Sequence, residues 1–517
     1  MIYVHIPFCK SFCTYCGFYS VISGSAHRFS DAVCRELRLR KEEIAATKSC
    51  NTLYLGGGTP SVLPLDCISQ IASSARELCG EDFSEFTMEM NPDDIVRGGV
   101  KWAADLRKMG VNRASVGIQS FDDGVLRKMN RRHDARGAVD AYRILEEAGF
   151  DNISVDLIFG LPSWFSHSGK DEKCLRNALD KTNDRQCAEL DMDRLRRDID
   201  SVLSISSSGR PPKHISAYQL SVEQGSALEE MMVKDGSIVE APQEICAAQY
   251  ELLCRALSDA GYHHYEVSNF ALPGYEAVHN SAYWSYLPYV GVGPAAHSFQ
   301  IIRPIQSLPN PSQQQYPVSS SPQQDSLSSS QPQDSVSPNQ CQNSLSPNQR
   351  QDSLLSQYMR YSSEQSAPSC DVTYLRKWNV ADVNEWERGV FDKSGAKADE
   401  SSMYMTKSLN MSAGKMSGCK TSSCEILNCE TSSCETSSCE TSNYEILTPD
   451  QVAEEHIMLA LRTSRGISYD SLMACGDRTA IQKALKDGYL AETAEGNIRI
   501  PEKYFFISDS IISSLFK

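Results

Sequence analysis

The sequence predicts an α/β fold: a partial (β/α)6 barrel, a small C-terminal winged-helix-like α+β domain and disordered low-complexity insertions. Three observations predict it. Short β-branched segments alternate with helical ones up to about residue 262, two later stretches switch to biased composition, and a capped helix at residue 448 opens a last folded unit. Regular strand–helix alternation implies parallel strands joined by right-handed crossovers.

Each element carries its own signal. Apolar runs at 2–6, 52–56, 86–90, 113–118, 152–159 and 214–220 read as strands. The segments 26–46, 64–79, 93–109, 134–149, 190–204 and 240–260 read as helices. Six such units make residues 1–262 the barrel, with a charge-rich insertion at about 164–190. Residues 263–302 contain YEVSNFA, HNSAYW and GVGPAAHSF and complete the core. Residues 303–372 turn to Ser, Gln and Pro and hold the tandem repeat SPNQCQNSL–SPNQRQDSL, while 392–447 are rich in Ser, Thr and Glu. Neither tract buries enough apolar area to offset its ordering entropy, so both are expected to be disordered. Between them, 373–391 carries aromatic and apolar residues and reads as an ordered return segment. In the last unit, 448–517, Thr448 is an N-cap, Pro449 suits the first turn and Gln451 completes a capping box. Helix, Gly turn and strand then follow in IQKALKDGYL and GNIRI.

Charge and composition exclude several function classes. The 517 residues carry 50 Lys+Arg against 66 Asp+Glu, a formal charge of −16, which argues against a broad surface for nucleic-acid phosphates. The winged-helix-like unit follows suit, with eight basic against ten acidic residues over 449–517. No apolar run approaches the ~18 residues of a membrane span, so no stable membrane insertion is expected. MIYVHIPFC has neither a basic n-region nor a long apolar h-region, which predicts a cytoplasmic protein without a signal peptide. An odd count of 19 cysteines in such a chain argues against a disulfide framework.

Those cysteines separate into unlike groups. Cys9, Cys13 and Cys16 lie in CKSFCTYC, directly after the first strand. Three thiolates on one loop can hold three irons of a [4Fe–4S] cluster and leave the fourth open to a small molecule. The same spacing suits zinc, with His5 or a distant residue as fourth ligand. Cys419, Cys424, Cys429, Cys434 and Cys439 recur every five residues in a tract with nothing to hold their geometry, and read as incidental. The scattered remainder read as small buried hydrophobes. Polar residues gather where the strands end: Gly57, Gly58 and Thr59 in LGGGTP, Glu89 in MEMNP, Gln119 in GIQSF and Asp156 in DLIFGLP. The C-terminal ends of barrel strands are where such folds place ligands.

The run YVHIPFCKSFCTYCGF, followed by LGGGTP, MEMNP, GIQSF and DLIFGLP, resembles the radical S-adenosylmethionine (SAM) proteins. With YEVSNFA, HNSAYW and GVGPAAHSF, it is similar to their coproporphyrinogen-oxidase-like branch, and most closely to the heme chaperones of that branch. The resemblance covers about 1–162, 190–300, 374–390 and 449–517. It implies a TIM-like radical SAM barrel in which Cys9, Cys13 and Cys16 ligate a [4Fe–4S] cluster, with SAM on the fourth iron. Tyr3, Gly57, Gly58, Thr59, Glu89, Gln119, Arg131 and Asp156 match SAM contacts, and Tyr15 matches an aromatic position beside the adenine. His279 and His297 are the candidate heme ligands, each weighed against a hydrogen-bonded structural histidine. Tyr283 and Trp284 suit either a porphyrin face or a core.

Two functions follow from the resemblance. The first is heme binding and delivery to an accepting protein, in that family a respiratory one, with brief membrane contact. The alternative is oxygen-independent coproporphyrinogen III oxidation. Phe18 stands where the oxidases have a fourth cysteine, the chain starts eight residues before Cys9, and HNSAYW belongs to the chaperones; all three favour the carrier. One departure is Ser163-Trp164 after GLP, where the family has Gly-Gln.

Overall fold

The computed structural model describes residues 1–47, 50–162, 165, 184–234, 238–302, 372–392 and 442–516. Residues 303–371 and 393–441, with the pentad cysteines, Ser163-Trp164 and most of the 164–190 insertion, lie outside the described residues; 442–447 is described, and the strand it forms corrects the expectation of disorder up to residue 447.

Six parallel strands stand side by side in chain order: β1 (Ile2–Ile6), β2 (Thr52–Gly57), β3 (Glu85–Met90), β4 (Arg113–Gln119), β5 (Asn152–Phe159) and β6 (His214–Gln219). Helices at Ala26–Leu39, Leu65–Cys79, Pro92–Lys108, Ala135–Glu147, Asp184–Leu203 and Gln243–Asp259 alternate with them. The expected helix over 26–46 is broken in two at Arg40. There the Arg40 guanidinium turns inward to the Gly291 carbonyl and the Ser298 hydroxyl. The sheet is also wider than six strands. An antiparallel pair, β7 (His263–Glu266) and β8 (Asn269–Ala271), extends it past β6. On the other side β9 (Val290–Val292) runs parallel to β1. The result is an open nine-stranded sheet with β7 and β9 at its edges.

Strand alternation divides this sheet into two chemically distinct faces. Val4, Ile6, Leu53, Leu55, Phe86, Met88, Ala114, Val116, Ile153, Val155, Ile215 and Ala217 are all buried in the main apolar core. Each large apolar side chain buried there contributes about 1.5–3 kcal/mol. The alternate positions are polar: Tyr3 and His5, Tyr54, Thr87 and Glu89, Arg113 and Ser115, Ser154 and Asp156, His214 and Ser216. They bond to one another across the strands, as in Ser115 to Asp156 at 3.2 Å and Ser154 to His214 at 2.8 Å.

A second sheet joins β10 (His297–Ile302), β11 (Thr373–Asn379) and β12 (Ser442–Ile446), all antiparallel. The return segment then forms a helix, Val383–Asp392, against the Ala26–Leu39 helix. Trp386 is fully buried there, its ring 5.5 Å from Phe29 and its indole N–H donating to Glu36 at 2.8 Å. The C-terminal unit combines helices Pro449–Leu461, Tyr469–Cys475 and Arg478–Lys486 with a small antiparallel sheet, β13 (Ile467–Ser468), β14 (Ala491–Glu492) and β15 (Asn497–Arg499). The Thr448 capping box is complete: Gln451 N–H donates to the Thr448 hydroxyl, and Thr448 N–H to the Gln451 side chain. Among the described residues no helix is long and apolar enough to cross a membrane.

Candidate functional site

The cysteine loop follows β1 and is fastened at many points. Val21 N–H donates to the Pro7 carbonyl at 2.7 Å and Cys9 N–H to Val21 at 2.9 Å, closing the loop on itself. Gly58 and Thr59 N–H donate to Ile6 and Phe8, each at 2.8 Å, which ties it to the end of β2. The opposite arm is held by Asn130, whose amide donates to the Phe12 carbonyl at 2.7 Å. Lys10, between the first two cysteines, pairs with the buried Asp94 at 2.5 Å. Asp94 also accepts from Ser61 and pairs with Arg132, so one carboxylate anchors three segments.

These contacts assemble the expected cluster residues around one space. The three cysteines are half-buried free thiols. Cys9 Sγ lies 3.4 Å from the Thr59 hydroxyl, and Arg131 donates to Cys13 Sγ at 3.3 Å. Burial pushes the Cys16 thiol up, with Cys13 and Cys9 adding to the effect. An electropositive partner is therefore needed to hold the Cys16 sulfur as a thiolate, which is the chemistry a metal cluster supplies. His5 is not free to complete a zinc site: Tyr3 OH donates to its Nδ1 at 3.1 Å, and its Nε2 donates to the Tyr19 carbonyl at 3.0 Å.

The glycines of LGGGTP have steric reasons to be there. A Cβ at Gly58 would meet the Ile6 and Phe8 carbonyl oxygens at 2.9 Å, and one at Gly57, whose φ is +108°, would meet the His5 ring at 2.6 Å. The Gly57 N–H donates to Glu89 at 3.0 Å, and Tyr54 OH donates to the same carboxylate at 2.9 Å. Burial raises Glu89 to about 7, with the nearby Asp156 adding to it. Burial likewise raises Asp156 to about 6, against hydrogen bonds from Ser216, Ser115 and Ser154. Two recessed carboxylates on the edge of ionisation form an acidic wall suited to a ligand with cationic and hydroxyl groups. Gln119 ends β4 at φ +72°, a strained position for a non-glycine residue. Its successors are fixed by Asp198, which accepts from Ser120 Oγ at 2.8 Å and Phe121 N–H at 2.7 Å. Tyr15 packs against the apolar cluster around Val125, Met129 and Leu228. Arg131 also donates to Asn91 and to the Gly117 carbonyl.

The structure thus gathers Tyr3, Cys9, Cys13, Tyr15, Cys16, Gly57, Gly58, Thr59, Glu89, Gln119, Arg131 and Asp156 at the inner face and mouth of the sheet. The two histidines part company. His279 is fully buried near the start of β2: its Nδ1 bonds Thr52 at 2.8 Å, its Nε2 bonds Tyr283 OH at 3.0 Å, and its N–H donates to Glu85. Both ring nitrogens of His279 are therefore hydrogen-bonded in this conformation. Tyr283 also packs into a small core, with Met1, Cys50, Val278, Ala282 and Leu287. His297, by contrast, is exposed at the start of β10 and stacks on Trp378, with ring centroids 6.2 Å apart.

Several inner-face residues escaped the sequence reading. Tyr54, Arg113, Ser115, Ser154, His214 and Ser216 line the interior, and Asp198 braces the end of β4. Arg113 is 1% exposed and makes no hydrogen bond or ion pair through its side chain among the described residues; its charge faces Glu89 and Asp156. The available signal was the period-two placement of polar residues inside otherwise apolar strands.

Comparison with known proteins follows this geometry. Residues 3–166 match the model of the Radical SAM superfamily. Heme chaperone HemW of Bacillus subtilis is 33% identical over 303 residues, covering 57% of this chain and 70% of that protein. HemW of Lactococcus lactis is 32% identical over 299 residues, covering 57% and 69%. The mitochondrial radical S-adenosyl methionine domain-containing protein 1 of Danio rerio is 30% identical over 302 residues, covering 57% and 59%. Among solved structures, the radical SAM enzyme coproporphyrinogen III oxidase, HemN, from Escherichia coli superposes with a TM-score of 0.58 at 16% identity, covering 99% of this chain and 89% of that one. That last likeness is one of fold.

Proposed function

Since this chain belongs to the HemW family of heme chaperones within the radical SAM superfamily, we propose that it binds heme and passes it to an acceptor protein in the cytoplasm. The observation that carries the reading is this kinship, joined to a cysteine loop that ends in Phe18 rather than a fourth cysteine. Cys9, Cys13 and Cys16 hold a [4Fe–4S] cluster, and SAM lies along Tyr3, Tyr15, Gly57, Gly58, Thr59, Glu89, Gln119, Arg131 and Asp156. When bound, the cluster supplies an open iron that SAM chelates and a store for one electron.

The chain's own residues do the rest. Arg131, donating to Cys13 Sγ, offsets negative charge on the sulfur. The Gly57 N–H and Tyr54 OH fix the Glu89 carboxylate toward the ligand space. Ser115 and Ser154 do the same for Asp156. Lys10 and Asp94 fasten the cysteine loop in place.

Anaerobic reconstitution with iron and sulfide, followed by heme titration and mixing with an apo-acceptor, tests the function. Stoichiometric heme binding and transfer, with coproporphyrinogen left untouched, is the expected outcome. Decarboxylation to protoporphyrinogen with heme ignored would replace the carrier by the oxidase. Cys13→Ala is expected to abolish the broad visible absorbance of the cluster, and Cys434→Ala to leave it intact; retained absorbance in Cys13→Ala refutes the ligand assignment.

A further inference from the structure

Resting on the placement of SAM proposed above, we infer that Arg113 is a positioning residue of the inner face. Its fixed positive charge lies beneath the Glu89–Asp156 wall, pairs with neither carboxylate, and keeps both ready to receive a cationic, hydroxyl-bearing ligand. Arg113 is the one Lys or Arg in the six parallel strands, and at the start of β4 it is 1% exposed. Its Nε is buried without a hydrogen-bond partner, and no ion pair holds the guanidinium among the described residues. Burying a charge unpaired costs folding free energy, so packing alone gives no reason for an arginine at this place.

The strand register puts the charge below the wall. Arg113 is level with Thr87 of β3, which is level with Tyr54 of β2. Two residues farther along β4, on the same face, Ser115 is level with Glu89 and with Ser154 of β5. Gly117, two residues beyond that, is level with Asp156. Each carboxylate is bonded to side chains from a lower row. Glu89 accepts from Tyr54 OH at 2.9 Å, and Asp156 accepts from Ser115 Oγ at 3.2 Å and Ser154 Oγ at 3.4 Å. The two acids thus stand over Arg113, whose charge favours the ionised form of each against the burial that opposes it.

The other titratable groups around the two acids are uncharged near neutral pH. Burial pushes the phenols of Tyr3, Tyr54, Tyr218 and Tyr283 above their ordinary range. It pushes the imidazoles of His5, His214 and His279 below theirs, and Arg113 adds to the effect on the last two. His214 is further held by Ser154 at one ring nitrogen and Tyr265 at the other. The second guanidinium of the site, Arg131, is engaged by Cys13 Sγ, Asn91 and the Gly117 carbonyl. Arginine suits the remaining task, because it stays charged throughout the working pH range.

The test is SAM binding to the reconstituted full chain, measured by anaerobic equilibrium dialysis across pH. In the wild type, affinity is expected to rise as the carboxylates ionise. Arg113→Met should move the midpoint of that rise upward by about one pH unit and weaken binding about tenfold near neutrality. At higher pH the acids ionise unaided, and the deficit should shrink. Arg113→Lys keeps the charge and should keep the wild-type midpoint. The ligand's own titration is common to every variant and cancels in the comparison. An equal loss of affinity at every pH, or an unshifted midpoint in Arg113→Met, overturns the inference and leaves the placement of SAM standing. Should Arg113→Met lose the cluster absorbance, the same shift is measured in Arg113→Met with Glu89→Gln, where Asp156 alone needs the charge. Loss of the cluster in both makes Arg113 a residue of the fold and overturns the inference. A wild-type chain that binds no SAM at any pH overturns both readings.

Discussion

At the scale of single residues, the inner face is an exercise in placing charge where water is scarce. The folded pKa of Glu89 is about 7 against an ordinary 4.5, so the native state holds its proton more tightly than the unfolded chain does. That contribution is complete below the lower value and is lost as pH rises through the upper. The ligand-free chain is expected to lose stability from about pH 4.5 to 7 on this account. Asp156, raised to about 6, contributes with the same sign. Glu89→Gln should flatten the slope of melting temperature against pH in that window without abolishing it. An unaltered slope in thermal melts of the ligand-free variant would contradict the assignment. The two candidate histidines show what sequence leaves open at this scale. Both lie in motifs of the same character, and only hydrogen-bond partners from β2 and the Val278–Trp284 helix distinguish the engaged His279 from the open His297. The cysteines were legible as a group because their spacing puts three thiols on one loop.

At the scale of elements, the six strands and their helices were readable because each has a clean apolar period and a local stop signal, such as Asp134 capping Ala135–Glu147 through Gly137 N–H at 2.7 Å. The short added strands were not. β8 and β9 have three residues each, too few for a period, and they exist because longer neighbours offer open hydrogen-bonding edges. The same holds for the helix Val383–Asp392, whose seat depends on Glu36, three hundred and fifty residues away in sequence from its partner Trp386. Glu36 is buried and also accepts from Gly293 and Asn379, so the helix, the turn before His297 and β11 share one anchor. Trp386→Ala should cost about 3–5 kcal/mol of unfolding free energy, through a cavity beside Phe29 and a weakened Glu36 network. Chemical denaturation measures it; a loss below about 1 kcal/mol would mean the helix docks by other means.

At the scale of the whole molecule, the length of the chain exceeds what the folded part requires. Ile302 and Thr373, which flank the Ser/Gln/Pro-rich tract, are direct antiparallel partners in β10 and β11. A two-residue type I′ turn is enough to connect such a pair. Replacing 303–372 by Asn-Gly is therefore expected to preserve the cluster absorbance and to leave the melting temperature unchanged or higher. A collapse of either would show that the tract contributes to the fold.

The position of β1 between β2 and β9 also dictates a timetable. A ribosome releases β1 and the cysteine loop first, β2 about fifty residues later, and β9 only once Val290–Val292 have emerged. During synthesis, at ~5–20 residues per second, one flank of β1 stays bare for many seconds. Until the turn at Gly293 closes against His5, β1 has a strand partner on one side only.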